Sequence, residues 1–242
     1  MTRVRAGTSG FSYAQWRGSF YPADLADDAM LAHYGSKLGT VEINNTFYRM
    51  PKPAVLTGWA QQVPDDFTFV IKASRRISHQ AKLKPPEAHD SMAYLWKMVD
   101  ALGLKLGPVL IQTPNFLRKN NDLLREFVTA TVPTGARVAM ELQHSSWDDE
   151  ATDRILSDAG IARVIADRED GTARVVRTAS FTYTRLRKDD YSVEELDRWL
   201  DQLGALGGSE AFVFFKHEDT ARGAELALET MARATARGGD FV

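Results

Sequence analysis

The sequence predicts an α/β fold, a single (β/α)8 TIM-type barrel over residues 1–242 with an irregular unit after strand six. Three observations carry this. Eight short apolar runs recur along 242 residues, with helix-periodic stretches between them. No Pro/Ser-rich linker or low-complexity tract divides the chain. No G-x-G-x-x-G or Walker loop follows any run, which weighs against an open nucleotide-binding sheet.

The runs predicted as strands cover 4–9, 40–44, 68–73, 108–113, 137–142, 162–167, 181–186 and 211–216. Between them, "HDSMAYLWKMVDALG" and "NNDLLREFVTATV" repeat apolar residues at helical spacing. "SSWDDEATDRILSDAG" does so at Trp147, Ala151 and Ile155, and Gly160 stops it. After Asp167, "REDGTARVVRTAS" predicts no proper helix. "SVEELDRWLDQLGAL" places Val193, Leu196, Trp199, Leu200 and Leu203 on one face, with Ser192 and Glu195 in capping-box spacing. An alanine-rich helix over about 220–237 closes the chain.

Composition narrows the function classes. The chain is 44% hydrophobic and 26% charged, with a net charge of −2. That balance gives no general pull towards nucleic acid or anionic lipid. The chain has no cysteine, so disulfides, thiolate catalysis and cysteine-held metal clusters are excluded. No apolar signal core follows the first residues and no apolar run is long enough to span a membrane, so a cytoplasmic protein is expected.

Strand ends carry the chemistry. A period of two turns Val41 and Ile43 towards the helices, and Glu42 and Asn44 towards the barrel axis. The same parity turns Lys72, Gln112, Glu141, Asp167, Arg185 and Lys216 inward, with Gln143 following Glu141. The expected ring balances Glu42, Glu141 and Asp167 against Lys72, Arg185 and Lys216. It reads either as self-neutralising structural ion pairs or as a site for a polar, anionic ligand. Carboxylates close by are expected to hold Lys72 protonated. Repulsion between Glu42 and Glu141 is expected to raise one of the two pKa values, with Lys72 acting against it. Arg187 and Lys188 in "RLRK" are read as outer steering charges, opposed by Glu218 and Asp219.

Aromatic residues cluster after the first two strands. Most are expected to pack as a lid, while Tyr13, Trp16 and Tyr48 are candidates to wall a pocket. His79, His144 and His217 follow strands three, five and eight, whereas His33 and His89 sit in helical stretches. No H-x-H or H-E-x-x-H spacing exists, so no cofactor is called, with a divalent ion left open.

Six motifs together resemble the YecE-like family, a domain of unknown function: "GTSGFSYAQWRGSFYP", "VEINNTFYRMP", "FVIKASRRISH", "GPVLIQTPNF", "MELQHSSW" and "YTRLR". The resemblance covers almost the whole chain and implies a TIM-barrel-like fold without an established reaction. Glu42, Asn44, Tyr48, Lys72, His79, Glu141, Trp147 and Arg185 sit in matching motifs. The chain departs from the family pattern at Gln143, at Arg187 and Lys188, and at "FFKHED".

Three functions are weighed on these residues. The favoured one is a hydrolase or lyase on a polar, anionic small substrate. Glu42 and Glu141 are its acid/base pair, Lys72 and Arg185 its electrostatic clamp, and Lys72 and Asp167 complete the catalytic set. Asn44, Tyr13, Trp16, Tyr48, His79, Gln112, Arg185 and Lys216 bind the substrate. The alternatives are a nucleic-acid-processing phosphodiester enzyme, with Arg185, Arg187 and Lys188 on phosphates, and a non-catalytic ligand-binding barrel.

Overall fold

The structure is a computed structural model that describes residues 2–168, 171–172, 174–216 and 220–238. Eight parallel strands close into a barrel: β1 (Arg3–Ser9), β2 (Thr40–Ile43), β3 (Thr68–Lys72), β4 (Leu106–Gln112), β5 (Val138–Glu141), β6 (Ala162–Arg168), β8 (Phe181–Leu186) and β9 (Glu210–Phe215). Neighbours follow chain order, and β9 pairs with β1 to close the ring. The two-residue β7 (Gly171–Thr172) lies antiparallel on the end of β6.

Helices α1 (Met30–Gly35), α2 (Pro53–Gln62), α3 (Glu87–Val99), α4 (Asn121–Thr131) and α5 (Glu150–Asp158) fill the crossovers up to β6. Helices α6 (Val193–Leu206) and α7 (Arg222–Ala236) follow β8 and β9. The crossover from β6 to β8 holds β7 and no helix among the described residues, as the sequence predicts. Local chemistry sets the helix starts. Asn120 and Asp149 accept backbone N–H bonds at the heads of α4 and α5, and Ser192 and Glu195 form the reciprocal box at α6.

The core has two layers. Outward strand residues such as Val41, Ile43, Phe69, Ile71, Ile165 and Phe215 pack under the helices. Inward residues such as Val70, Leu110, Ala139, Val164, Tyr183, Phe212 and Phe214 fill the barrel. At the strand amino ends, Arg5 and Arg137 share Glu210, each at 2.7 Å. The apolar middle therefore lies between two charged layers. The one at the strand carboxyl ends opens to a cavity.

Among the described residues, no helix is long and apolar enough to cross a membrane.

Candidate functional site at the barrel mouth

The cavity at the carboxyl ends of the strands measures about 1020 Å³. Register explains who reaches it. Ser9 pairs with Glu42, Gln112 with Glu141, and Arg185 with Phe214, and partners in register share a face. Asn44, Lys72, Gln112, Glu141, Arg185 and Lys216 border the cavity, as the parity of the strand ends predicts, and Tyr48 and His79 border it from the segments after β2 and β3. Glu42 lies directly beneath, fully buried.

Glu42 is saturated. Its Oε1 accepts from Ser9 at 2.7 Å, Arg185 Nη2 at 2.8 Å, Asn44 at 3.1 Å and Arg187 Nη2 at 3.2 Å. Its Oε2 accepts from the Tyr183 hydroxyl at 2.6 Å and Arg185 Nε at 3.0 Å. Burial works to raise its pKa, but Arg185 and Arg187 outweigh that and hold it well below the usual carboxylate range.

Glu141 is clamped in the same way. Arg185 Nη1 donates to its Oε2 at 2.6 Å, Gln112 to the same oxygen at 2.8 Å, and Arg168 to its Oε1. Burial again opposes, and Arg185 and Arg168 again win, so this pKa is also lowered. The expectation that repulsion raises one of the pair is therefore corrected. The Arg185 guanidinium stands between the two carboxylates and neutralises both.

Lys72 behaves differently. Its ammonium donates to Gln112 Oε1 at 2.7 Å and lies 4.6 Å from the centre of the Phe47 ring. Burial and then Arg185 lower its pKa to about 8, and Glu42 and Glu141 only partly compensate. Nearby carboxylates therefore hold it less firmly than expected, because both have arginines in closer contact, yet it stays mostly protonated at neutral pH. His79 borders the same cavity, its pKa lowered by burial and by Lys72, and its Nδ1 lies 2.9 Å from Ser78 Oγ.

Two further arginines enter the ring. Arg187 Nη1 donates to Ser9 Oγ at 2.8 Å, while its Nε is buried without a hydrogen-bond partner. Burial and the adjacent Arg185 lower its pKa to about 10, which leaves it charged at neutral pH. Arg168 reaches in from the last position of β6. The sequence reading placed Arg187 outside the ring and did not single out Arg168.

Three expected residues are elsewhere. Asp167 shares its register with Leu186, which packs under the helices, so it faces outward, and Lys188 sits 3.3 Å from it. The β6 parity was set one residue off, and Arg168 takes the inward place. Trp16 is fully buried among Tyr13, Phe20 and Tyr21 and offers no stacking face. Tyr13 donates to the Ser9 carbonyl at 2.7 Å and borders a separate cavity of about 520 Å³.

At the rim, Lys216 pairs with Asp189 at 2.7 Å. Lys188 lies 3.4 Å from Glu195 as well as close to Asp167. His144 caps a short turn through Ser146 and does not border the cavity. His217, Glu218 and Asp219 lie outside the described residues. Among the described residues, no group of three or more His, Asp or Glu side chains is placed to hold a metal ion.

Among the described residues, four cations thus face two carboxylates: Lys72, Arg168, Arg185 and Arg187 against Glu42 and Glu141. The surplus borders open space. Such a mouth attracts an anion and can hold it by charge-assisted hydrogen bonds.

Comparison with known proteins agrees on the fold. The family model described as "Protein of unknown function DUF72" matches residues 5–240. The UPF0759 protein YecE of Escherichia coli K12 is 29% identical over 143 residues, a match covering 57% of this chain and 52% of that protein. The chain is therefore matched along about half the length of that curated relative. A DUF72 family protein of Thermotoga maritima superposes with a TM-score of 0.85 at 24% identity, covering 96% of this chain and 99% of that one. A D-psicose 3-epimerase of Clostridium cellulolyticum, solved with D-tagatose, superposes at 0.53 with 11% identity, covering 98% of each chain. At these identities both structures speak for the barrel alone.

Proposed function

The chain belongs to the DUF72 family, and from that premise we propose that its barrel mouth is an active site that binds a small polar anion and transfers a proton on it. One observation carries the reading: the positive surplus around two carboxylates that are already fully engaged. A self-neutralising plug needs equal charges, and among the described residues two positive charges are left over beside an open cavity of about 1020 Å³.

The roles follow from what each group has free. Glu42 and Glu141 are held ionised by arginines and have few lone pairs left, so they act as the frame. Arg185 spends three nitrogens on that frame. Arg187, Arg168 and Lys72 remain to meet the anion. Lys72, with a pKa of about 8, is the proton carrier: a fraction of it is free amine near neutral pH and can accept a proton and return it. This favours lyase or isomerase chemistry over hydrolysis by a carboxylate pair.

Calorimetric titration tests the reading, using phosphate, sulfate and a panel of small carboxylated and phosphorylated compounds at low and moderate salt. Wild type should bind at least one, and Arg187→Ala should lose about tenfold or more in affinity. Any compound that binds is then incubated with the protein in deuterated water, where NMR should show deuterium entering it, and Lys72→Met should stop that exchange. If no anion binds, or Arg187→Ala binds as well as wild type, the structural-plug account replaces this one.

A further inference from the structure

The loops after β2, β3 and β4 form one half of the barrel rim. Residues 44–53 contribute Arg49 and Lys52, residues 73–86 contribute Arg75, Arg76, Lys82 and Lys84, and residues 113–121 contribute Arg118 and Lys119. These eight cations are all exposed, and the three segments hold no carboxylate. Lys119 pairs with Asp149. The other seven make no ion pair among the described residues, although Glu87 and Asp90 border the patch on α3.

The opposite half of the rim is the internal control. There Lys188 pairs with Asp167 and Glu195, Lys216 with Asp189, and Arg222 with Asp190 and Glu229. The same molecule neutralises one side of its mouth and leaves the other bare, although its net charge is −2.

Two large rings stand in the bare half. Tyr48 is 73% exposed and Phe116 is 61% exposed. Each has a cation over its face, Arg75 at 6.0 Å from the Tyr48 ring and Lys82 at 5.5 Å from the Phe116 ring. The loop between them is anchored: Leu83 is completely buried at a left-handed φ of 66°, which leaves its neighbours Lys82 and Lys84 exposed. The cations are therefore presented from a fixed backbone.

We propose that this half-rim binds single-stranded nucleic acid, with the exposed cations on the phosphates and Tyr48 and Phe116 as base-stacking platforms. Alternating charges and flat rings match a strand whose bases are unpaired. A duplex hides its base faces. An anionic lipid surface uses the charges, but it prefers an apolar wedge or an amphipathic helix to two separated rings. The surface is distinct from Arg185, Arg187 and Lys188, which the sequence alone assigned to phosphates and which are engaged in ion pairs. The proposal stands whether or not the mouth carries out proton transfer.

Fluorescence anisotropy with labelled oligothymidylate and oligouridylate of about fifteen nucleotides provides the test. Wild type should bind one or both with micromolar affinity near 50 mM salt, weakening as salt rises with a slope of about −0.7 per phosphate contact. The triple substitution Arg75→Glu, Arg76→Glu and Lys82→Glu should weaken binding about tenfold or more and flatten that slope. Tyr48→Ala and Phe116→Ala should each weaken it by about fivefold or more and leave the slope alone. Lys37→Glu, at an exposed position outside the three loops, is the matched control and should bind as wild type does. Failure of wild type to bind either strand overturns the proposal. So does a triple variant that binds equally well, or tighter binding of duplex DNA or of vesicles of phosphatidylcholine and phosphatidylserine.

Discussion

The ammonium of Lys72 stands 2.7 Å from the side-chain oxygen of Gln112 and makes no direct ion pair among the described residues. Gln112 in turn donates to Glu141 at 2.8 Å. Lys72 therefore feels the carboxylate through a neutral amide, while Arg185 holds that carboxylate directly. Burial without a counter-charge in contact is what lowers the lysine pKa to about 8.

Lys72 gives the first pH prediction. Its folded pKa is below the value of about 10.4 expected when unfolded. Between about pH 8 and 10.4 the unfolded chain binds more protons, so this group adds stability as pH rises through that window. Urea midpoints should rise relative to Lys72→Met between about pH 7.5 and 9.5, while anion binding should weaken over the same range. Parallel midpoints for the two proteins would contradict the assignment.

Acid should act in the opposite sense, through Glu42 and Glu141. Both have lowered folded pKa values, so their stabilisation is full above the unfolded value of about 4.3 and is lost as pH falls through the folded values. Thermal melts should fall steeply below about pH 4. Melts that are flat between about pH 5 and 3 would show that the arginines do not hold these carboxylates.

Glu42→Gln should cost about 3–5 kcal/mol, because it leaves the buried Arg185 and the largely buried Arg187 facing a neutral amide. Denaturant unfolding measures it. A loss under about 1 kcal/mol would mean that Glu141 and water satisfy both guanidiniums without it.

Gly7→Ala tests barrel closure. A Cβ at Gly7 would sit 2.2 Å from the carbonyl oxygen of Thr40, which is backbone of the neighbouring β2. Backbone moves only with its strand, so the cost should reach or exceed the 1–3 kcal/mol usual for overpacking (roughly). Wild-type stability in Gly7→Ala would show that β1 and β2 have slack where the structure has none.

Much of the architecture was legible from residue order. Each apolar run set aside for a strand contains or overlaps one, and the boundaries of β8 agree to the residue. The helix-free stretch before β8 could be read because its sequence lacks an apolar period. Parity located Glu42, Lys72, Gln112, Glu141 and Arg185 because each is a polar residue at or next to the carboxyl end of an otherwise apolar or hydroxyl-bearing run. It fails at β6 because that strand runs to Arg168, one residue past the end predicted for it. A run that stops at Asp167 turns that residue inward and leaves Arg168 out.

By itself, then, the sequence determined the barrel and most of the polar ring, because strand periodicity is a local property of the backbone. The pairing within the ring was decided only in three dimensions. Glu42 and Arg185 lie 143 residues apart, and Arg185 stands between two carboxylates because β8 faces β2 and β5 across a closed barrel. The same holds for the uncompensated rim. Its cations sit in three separate segments, and they add to one another only because β2, β3 and β4 are neighbours in the sheet and end on one side. Electrostatic energy depends on distance in space, and closure of the barrel is what sets those distances.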